Sequence, residues 1–558
     1  RTFTYDAAGN LPLNTFTKTG YTFGGWARSS GITTVVRTDG AAANNLAESG
    51  TVDLYAVWYK NPTVTFKVEG GTGGSLKGTY GGIPKTAGGT TEQSFTVTYG
   101  GSINFETTPT YAWEVDSWTV SPGSFSSGGG TGSITAALSN ITRDTDVIVK
   151  FKKTTTVKST DPQPWKLLKE VIKIADNNAV ITINGEIKAT IANDNKGEIV
   201  INKNLTIKGK TGAGSDKLNA ITLSRIFKVN TGKTLTLENI TLKNGEADNG
   251  GGGVYNEGTL IMKGSATVAP SAGAGKNDVY LASGAMITVN SSLTPQGGIA
   301  AYITPESYAE GRQVLNGSGV GSGYYKFEVT PESSTAEWVI KSDGCLKKAE
   351  NVVSSSSATP WKDLKTVITS ALDGDIIVIN GEIKATNAPD NYGGITINKS
   401  ITIKGKNKDT AILNANKDEN GKFPHYIFFV NGGKTVTLQN LTLTGGINGN
   451  GGAIHIGAST RGNTVKMINC IIKDNAATGD GGGGIYIGSN GTFTMDGESS
   501  SITGNFVSGT GTGFAVYIDD EGTFNWIKGS ISNNGGSDKA VHKEPGGEFN
   551  NPENYTAY

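Results

Sequence analysis

The stretch DGGGGIYIGSNGTFTMDG, Asp480–Gly497, sets an aspartate beside four glycines. Such a pairing serves phosphate cradles, calcium loops and tight turns alike. A phosphate cradle needs a strand before the glycines and a helix after them, and no helical pattern follows here. A calcium-binding nonapeptide carries its aspartate after the glycines and in tandem, whereas Asp480 precedes them. The related stretches GGGGVYNEGTLIMKG (Gly250–Gly264) and GFAVYIDDEGTF (Gly513–Phe524) keep the apolar positions, but neither has an aspartate in the place of Asp480 and only the first keeps four glycines. The glycines are therefore expected to turn the chain at φ > 0 and to let neighbouring segments approach closely.

Other chemistry-bearing residues are sparse. Asp519 and Asp520 could form a carboxylate pair of the kind that cleaves glycosidic bonds. Aligned with YIGSNGTF they fall on Gly488 and Ser489, a turn slot that favours Asp for its hydrogen bonds to the backbone. Past residue 160 the arginines are Arg225, Arg312 and Arg461, and Arg461 has no acidic cluster near it in sequence. His425, His455 and His542 share no metal-ligand spacing, and His455 occupies the strand position held by Tyr486 in the following repeat. Cys345 and Cys470 form no CxxC motif. No catalytic, metal or cofactor set is expected from these residues, and the chain reads as a non-enzyme with its binding residues unspecified.

The elements that would carry a site are all-β. Glycine supplies 80 of 558 residues, about twice the usual share of roughly 7%, which disfavours helices and suits short strands joined by turns. Charge is balanced at 49 basic and 49 acidic residues, so there is no electrostatic footprint for nucleic acid. No apolar run approaches the roughly 18 residues of a membrane-spanning helix. The chain opens inside a strand-like segment, FTYDAAGN, as a fragment lacking its leader would.

Residues 1–59 contain Phe3, the core Gly20-Tyr21-Thr22-Phe23-x-Gly25-Trp26 and the closing Leu54-Tyr55-Ala56-Val57-Trp58. These motifs resemble the internalin B-type, or Listeria–Bacteroides, repeat. That resemblance implies a small β-grasp-like module of bacterial surface proteins, with Trp26 and Trp58 in its core. Residues 61–153 resemble a second bacterial surface repeat and are expected to be β-sandwich-like. Trp113 and Trp118, five apart, should point to opposite faces of a regular strand.

The rest of the chain is duplicated. INGEIKAT at Ile183–Thr190 recurs at Ile379–Thr386, and INKNLTIKGK (Ile201–Lys210) returns as INKSITIKGK (Ile397–Lys406), both at an offset of 196 residues. Two homologous domains follow, 160–345 and 358–558, separated by the Ser-rich Ser354–Ser357. Within the second, Ile485-Tyr486-Ile487 reappears as Val516-Tyr517-Ile518, and Asn475, Asn505 and Asn534 recur at a period near 30. Periods of this length mark solenoid rungs that bury their apolar faces by stacking. Residues 277–343 match no rung period well and are expected to end the first solenoid. PWKLLKEVIKIAD and PWKDLKTVITSALDGD carry apolar residues at helical spacing after a proline, a helix-start signal.

A helix followed by (D)GD and IIVINGEI resembles the N-terminal cap of right-handed parallel β-helices of the pectin-lyase-like fold. Asp373 and Asp375 then shape a turn rather than bind metal. GGAIHI, IIKDN, GGGIYI and SITGN resemble the repeats of polymorphic outer-membrane proteins and autotransporter passengers, with Ile472 and Ile502 where that family has Phe. These resemblances imply two small N-terminal β-modules followed by two tandem right-handed parallel β-helices with helical N-terminal caps. They imply a monomeric, non-catalytic cell-surface, outer-membrane-associated or extracellular adhesin that displays binding surface toward a host surface or matrix protein or a glycan. A polysaccharide lyase or glycoside hydrolase, and a structural spacer, are the alternatives.

Overall fold

The structure, a computed structural model, describes residues 2–551 apart from 8, 193, 270–273, 333–336, 350, 417–424, 480, 509–510 and 536–539. Asp480 thus lies outside the described residues. The chain divides into two compact units, Arg1–Asp176 and Asn177–Tyr558.

In the first unit, Tyr21–Ala27 pairs antiparallel with Tyr55–Lys60, with a bulge between Phe23 and Gly25. Trp26 and Trp58 are half-buried, and both meet the Phe23 ring edge-on at 5.2 and 5.4 Å. The next module folds as a five-stranded and a four-stranded sheet that share one core, including Phe66, Leu76, Phe105, Val147 and Phe151. Trp113 and Trp118 both pack against that core, contrary to the opposite-face expectation. Their strand, Trp113–Ser121, slips register between Ser117 and Val115 opposite Lys150 and Phe151. The extra residue of this bulge, Asp116, inverts the alternation after it. Trp118 is thereby turned inward, and its indole N–H donates to the Ser133 carbonyl at 2.8 Å. The helix Pro164–Ile174 buries Trp165, Leu168, Val171 and Ile172.

The second unit is a parallel β-solenoid, and the solenoid turns number about 13 in all. Turns contribute short strands to three long parallel sheets, and three turns of the second copy add a fourth strand, Ile447–Asn448, Ala476–Ala477 and Phe506–Val507, in a further parallel sheet. In the first copy, sheet 1 runs through Ala179–Asn184, Leu205–Gly209, Thr234–Glu238, Thr259–Lys263, Met286–Val289 and Leu315–Asn316. Sheet 3 runs from Ile199–Ile201 to Phe327–Val329. Residues 279–329 therefore continue the rungs, where the sequence period had suggested termination; longer corners between these strands hide the repeat. The second copy repeats the plan, with sheet 1 spanning Asn351–Ser354 to Glu548–Asn550 and sheet 3 spanning Ile395–Ile397 to Val541–Lys543. Asn351–Ser354 already pairs with Ile376–Asn380, so the Ser-rich segment begins inside the ladder.

Inward positions are Ile, Val, Leu and Phe because alternation sends every second residue of each strand to the axis. The core of the second copy stacks identical types: Phe493, Phe524 and Phe549 lie 5.3 and 5.2 Å apart. Burying such a side chain is worth roughly 1.5–3 kcal/mol. The helix Pro360–Ser370 adds Trp361, Leu364 and Ile368 to this core. Its first turn lacks a side-chain cap from its own N-cap residue, and Asn391 Oδ1 instead accepts from the N–H groups of Trp361 and Lys362 at 2.9 and 3.0 Å.

One corner is filled by polar residues. Asn475, Asn505 and Asn534 are buried. Each asparagine amide donates to the carboxamide oxygen of the next, Asn475 to Asn505 and Asn505 to Asn534, both at 3.0 Å. The same oxygens accept from the Asn475 and Asn505 backbone N–H groups. Turning inward at this corner requires a left-handed residue just before it, supplied by Asp474, Gly504 and Asn533 with φ of 57°, 67° and 54°.

Candidate binding face on sheet 3

Along the outer side of sheet 3 in the second copy, strand register aligns Thr396, Phe429, His455, Tyr486, Tyr517 and His542 in one row. Successive rings from Phe429 to His542 lie 5.1, 4.8, 5.4 and 4.7 Å apart. Interplanar angles are 60° at the Phe429 end, then 34°, 11° and 25°. The spacing follows from the separation of hydrogen-bonded strands, about 4.8 Å.

The glycines make room for this row. A Cβ on Gly481 would stand 2.4 Å from the Tyr517 ring, and one on Gly513 would stand 3.1 Å from His542 Cβ. The first copy repeats the device, with Gly250 and Gly251 against Tyr280. There Tyr255 and Tyr280 stack at 4.6 Å, and the Arg225 guanidinium covers Tyr255 at 4.7 Å. Arg225 is itself paired with Glu198 and Asn249.

Carboxylates edge the row. Asp519 Oδ2 accepts from the Tyr486 hydroxyl at 2.8 Å, and Glu544 accepts from the Tyr517 hydroxyl. His542 Nε2 lies 3.2 Å from Glu544 Oε1. The Tyr517 hydroxyl, followed by His542, holds the Glu544 carboxyl below the usual carboxylate range. His455 Nδ1 lies 3.0 Å from the Asn450 carbonyl. A carbonyl can only accept, so Nδ1 carries the proton and Nε2 is left as an acceptor. Because the rings from Tyr486 to His542 stack face to face, that part of the row presents edges, hydroxyls, imidazole nitrogens and carboxylates rather than flat stacking platforms. Such a surface suits hydrogen bonding to a polyhydroxyl chain.

Asp519 is thus brought into the row, while Asp520 is exposed beside it and its N–H donates to Asp519 Oδ1. His455 and His542, unrelated in sequence spacing, share one face. His425 does not join them: it is buried against Trp361 at 5.5 Å and donates from Nδ1 to the Tyr426 carbonyl, with burial lowering its pKa. Asp373 and Asp375 tie turns, accepting from Ser400 N–H at 2.7 Å and Leu372 N–H at 2.8 Å. Arg312 donates to the Leu281 and Ala282 carbonyls, and Arg461 is exposed. Both cysteines are free, Cys470 in the core and Cys345 half-exposed. Among the described residues no group of three His, Cys, Asp or Glu is placed to hold a metal ion, and no helix is long and apolar enough to cross a membrane. Glu544 and the register of the aromatic row escape a linear reading; the recurrence of Tyr486 at Tyr517 was the available signal, and it breaks at His542.

No family model matches this sequence, and none of the curated proteins or solved structures compared with it matches either.

Proposed function

We propose that the chain is a non-catalytic display protein of the bacterial surface or exterior that binds a glycan along sheet 3 of its second solenoid. The row of hydroxyls, imidazoles and carboxylates repeating once per rung carries this reading, since a glycan also repeats its hydroxyls at a regular step. The resemblance of the N-terminal modules and rungs to bacterial surface repeats supports the location. Glycan-array binding tests it. Asp519→Asn and Glu544→Gln, which keep size and hydrogen bonding, are expected to weaken the bound glycan roughly tenfold each, as loss of a charged hydrogen bond of about 1.5 kcal/mol would. Binding that is indifferent to both substitutions, or that selects a matrix protein and no glycan, would overturn the assignment.

A glycoside-cleaving reading has one observation in its favour. Asp519 and Glu544 occupy equivalent positions on adjacent rungs, so their backbones are about 4.8 Å apart, comparable to the carboxyl separation of retaining enzymes. A general acid needs a raised pKa, and that of Glu544 is lowered. Release of reducing ends that disappears in Glu544→Gln would establish cleavage instead.

A further inference from the structure

The last turns of the first copy pack on the outer side of sheet 1 of the second, and they leave a cavity of about 210 Å³ between them. One wall carries Leu293, Thr294, Tyr325 and Lys326; the other carries Asn469, Asp496, Glu498 and Lys528. The charges in this cleft are unequally satisfied. Lys528 pairs with Glu498 at 2.8 Å. Asp496 accepts from the Tyr325 hydroxyl at 3.0 Å and from the Gly497 N–H at 2.7 Å. The Lys326 ammonium donates to the Leu293 carbonyl at 2.6 Å and lies 5.6 Å from the centre of the Tyr325 ring; the charges of Asp496 and Glu498 reach it, but among the described residues no carboxylate forms a direct ion pair with it. An ammonium drawn out of water is costly unless an anion meets it.

We infer that this cleft binds a small carboxylate-bearing molecule of monosaccharide size, with Lys326 meeting its carboxylate. The volume admits one such unit. Thr294, Asn469 and Asp496 supply partners for hydroxyls around it. Burial, with the nearby charge of Lys528, lowers the Lys326 pKa, and a bound carboxylate would reverse that shift by favouring the charged form. Asp496 and Glu498 oppose a second negative charge, so the site suits one carboxylate rather than a polyanion. It lies on sheet 1, not sheet 3, and stands whether or not the glycan reading does.

The test is calorimetric titration of the full chain with glucuronate, with glucose as the uncharged control of like size. Saturable binding of glucuronate and at least tenfold weaker binding of glucose are expected. Binding should fall at least tenfold in Lys326→Met and persist in Lys326→Arg. A thermal melt of Lys326→Met matching the parent's shows that lost binding is not lost folding. A destabilised Lys326→Met leaves the decision to pH, where affinity must fall as the Lys326 ammonium deprotonates. Absence of glucuronate binding, equal binding of glucose, or full retention in Lys326→Met overturns the inference.

Discussion

His455 shows how one position serves fold and face together. It stands in a row of rings, more buried than a surface histidine, and that burial lowers its pKa. The folded chain therefore holds the imidazole proton less tightly than the unfolded chain does. The associated stability is present above the unfolded pKa, about 6.5, and is lost as pH falls through the lower folded value. The same sign applies to His425, whose imidazole is also desolvated. His455→Phe, which keeps a ring in the stack, is expected to make the melting temperature fall less steeply than the parent's between about pH 7 and pH 5. Parallel pH profiles would contradict this. Cys470 behaves differently: burial raises its thiol pKa to about 12, so a thiol reagent should label it only after unfolding.

Among elements, the rungs and the two helices were legible because their signals are local: alternation, a proline start and a repeat offset. Trp113 and Trp118 were misread because a bulge depends on the partner strand, whose pairing no linear pattern states. The extra rungs at 279–329 were hidden by variable corner length, and the candidate face was hidden because its row is built across rungs rather than along one. The asparagine recurrence was visible as a period, but its role is clear only in space. Asn505→Ala would strip partners from the Asn475 N–H and from the Ile472 carbonyl at the buried corner. At about 1–3 kcal/mol for each buried group left unsatisfied, a loss of roughly 3 kcal/mol is expected by chemical denaturation. A change below about 0.5 kcal/mol, typical of a surface site, would show that water fills the gap.

On the scale of the whole solenoid unit, the two copies are joined by more than the chain. Val378, Lys404, Gln439, Ile468 and Asp496 align as one outer row of sheet 1 in the second copy. Val339 and Ala349 pack on Val378, Tyr324 hydrogen-bonds Gln439 at 2.9 Å, and Tyr325 takes Asp496. Glu328 meets Lys404 at 2.6 Å and Asn440 at 3.0 Å, with the side chains of the ion pair only 12% and 8% exposed. Removing one member of a buried pair costs about 3–5 kcal/mol because the other charge is stranded. Lys404→Met is expected to raise hydrogen exchange at Phe327–Val329 and Ile401–Gly405, while Lys404→Met combined with Glu328→Leu should restore much of the protection. Unchanged exchange in the single variant would mean that the copies are held elsewhere.

The corresponding row of the first copy has taken another course. Lys208, Glu238 and Lys263 align there, and Glu238 bridges both lysines at 2.8 and 2.7 Å. That row forms a self-neutralising zipper, whereas its duplicate has become a socket. Anyone lengthening the array by a further repeat should therefore copy the socket version: a new unit built on the zipper row would fold yet swing loose from the one before it.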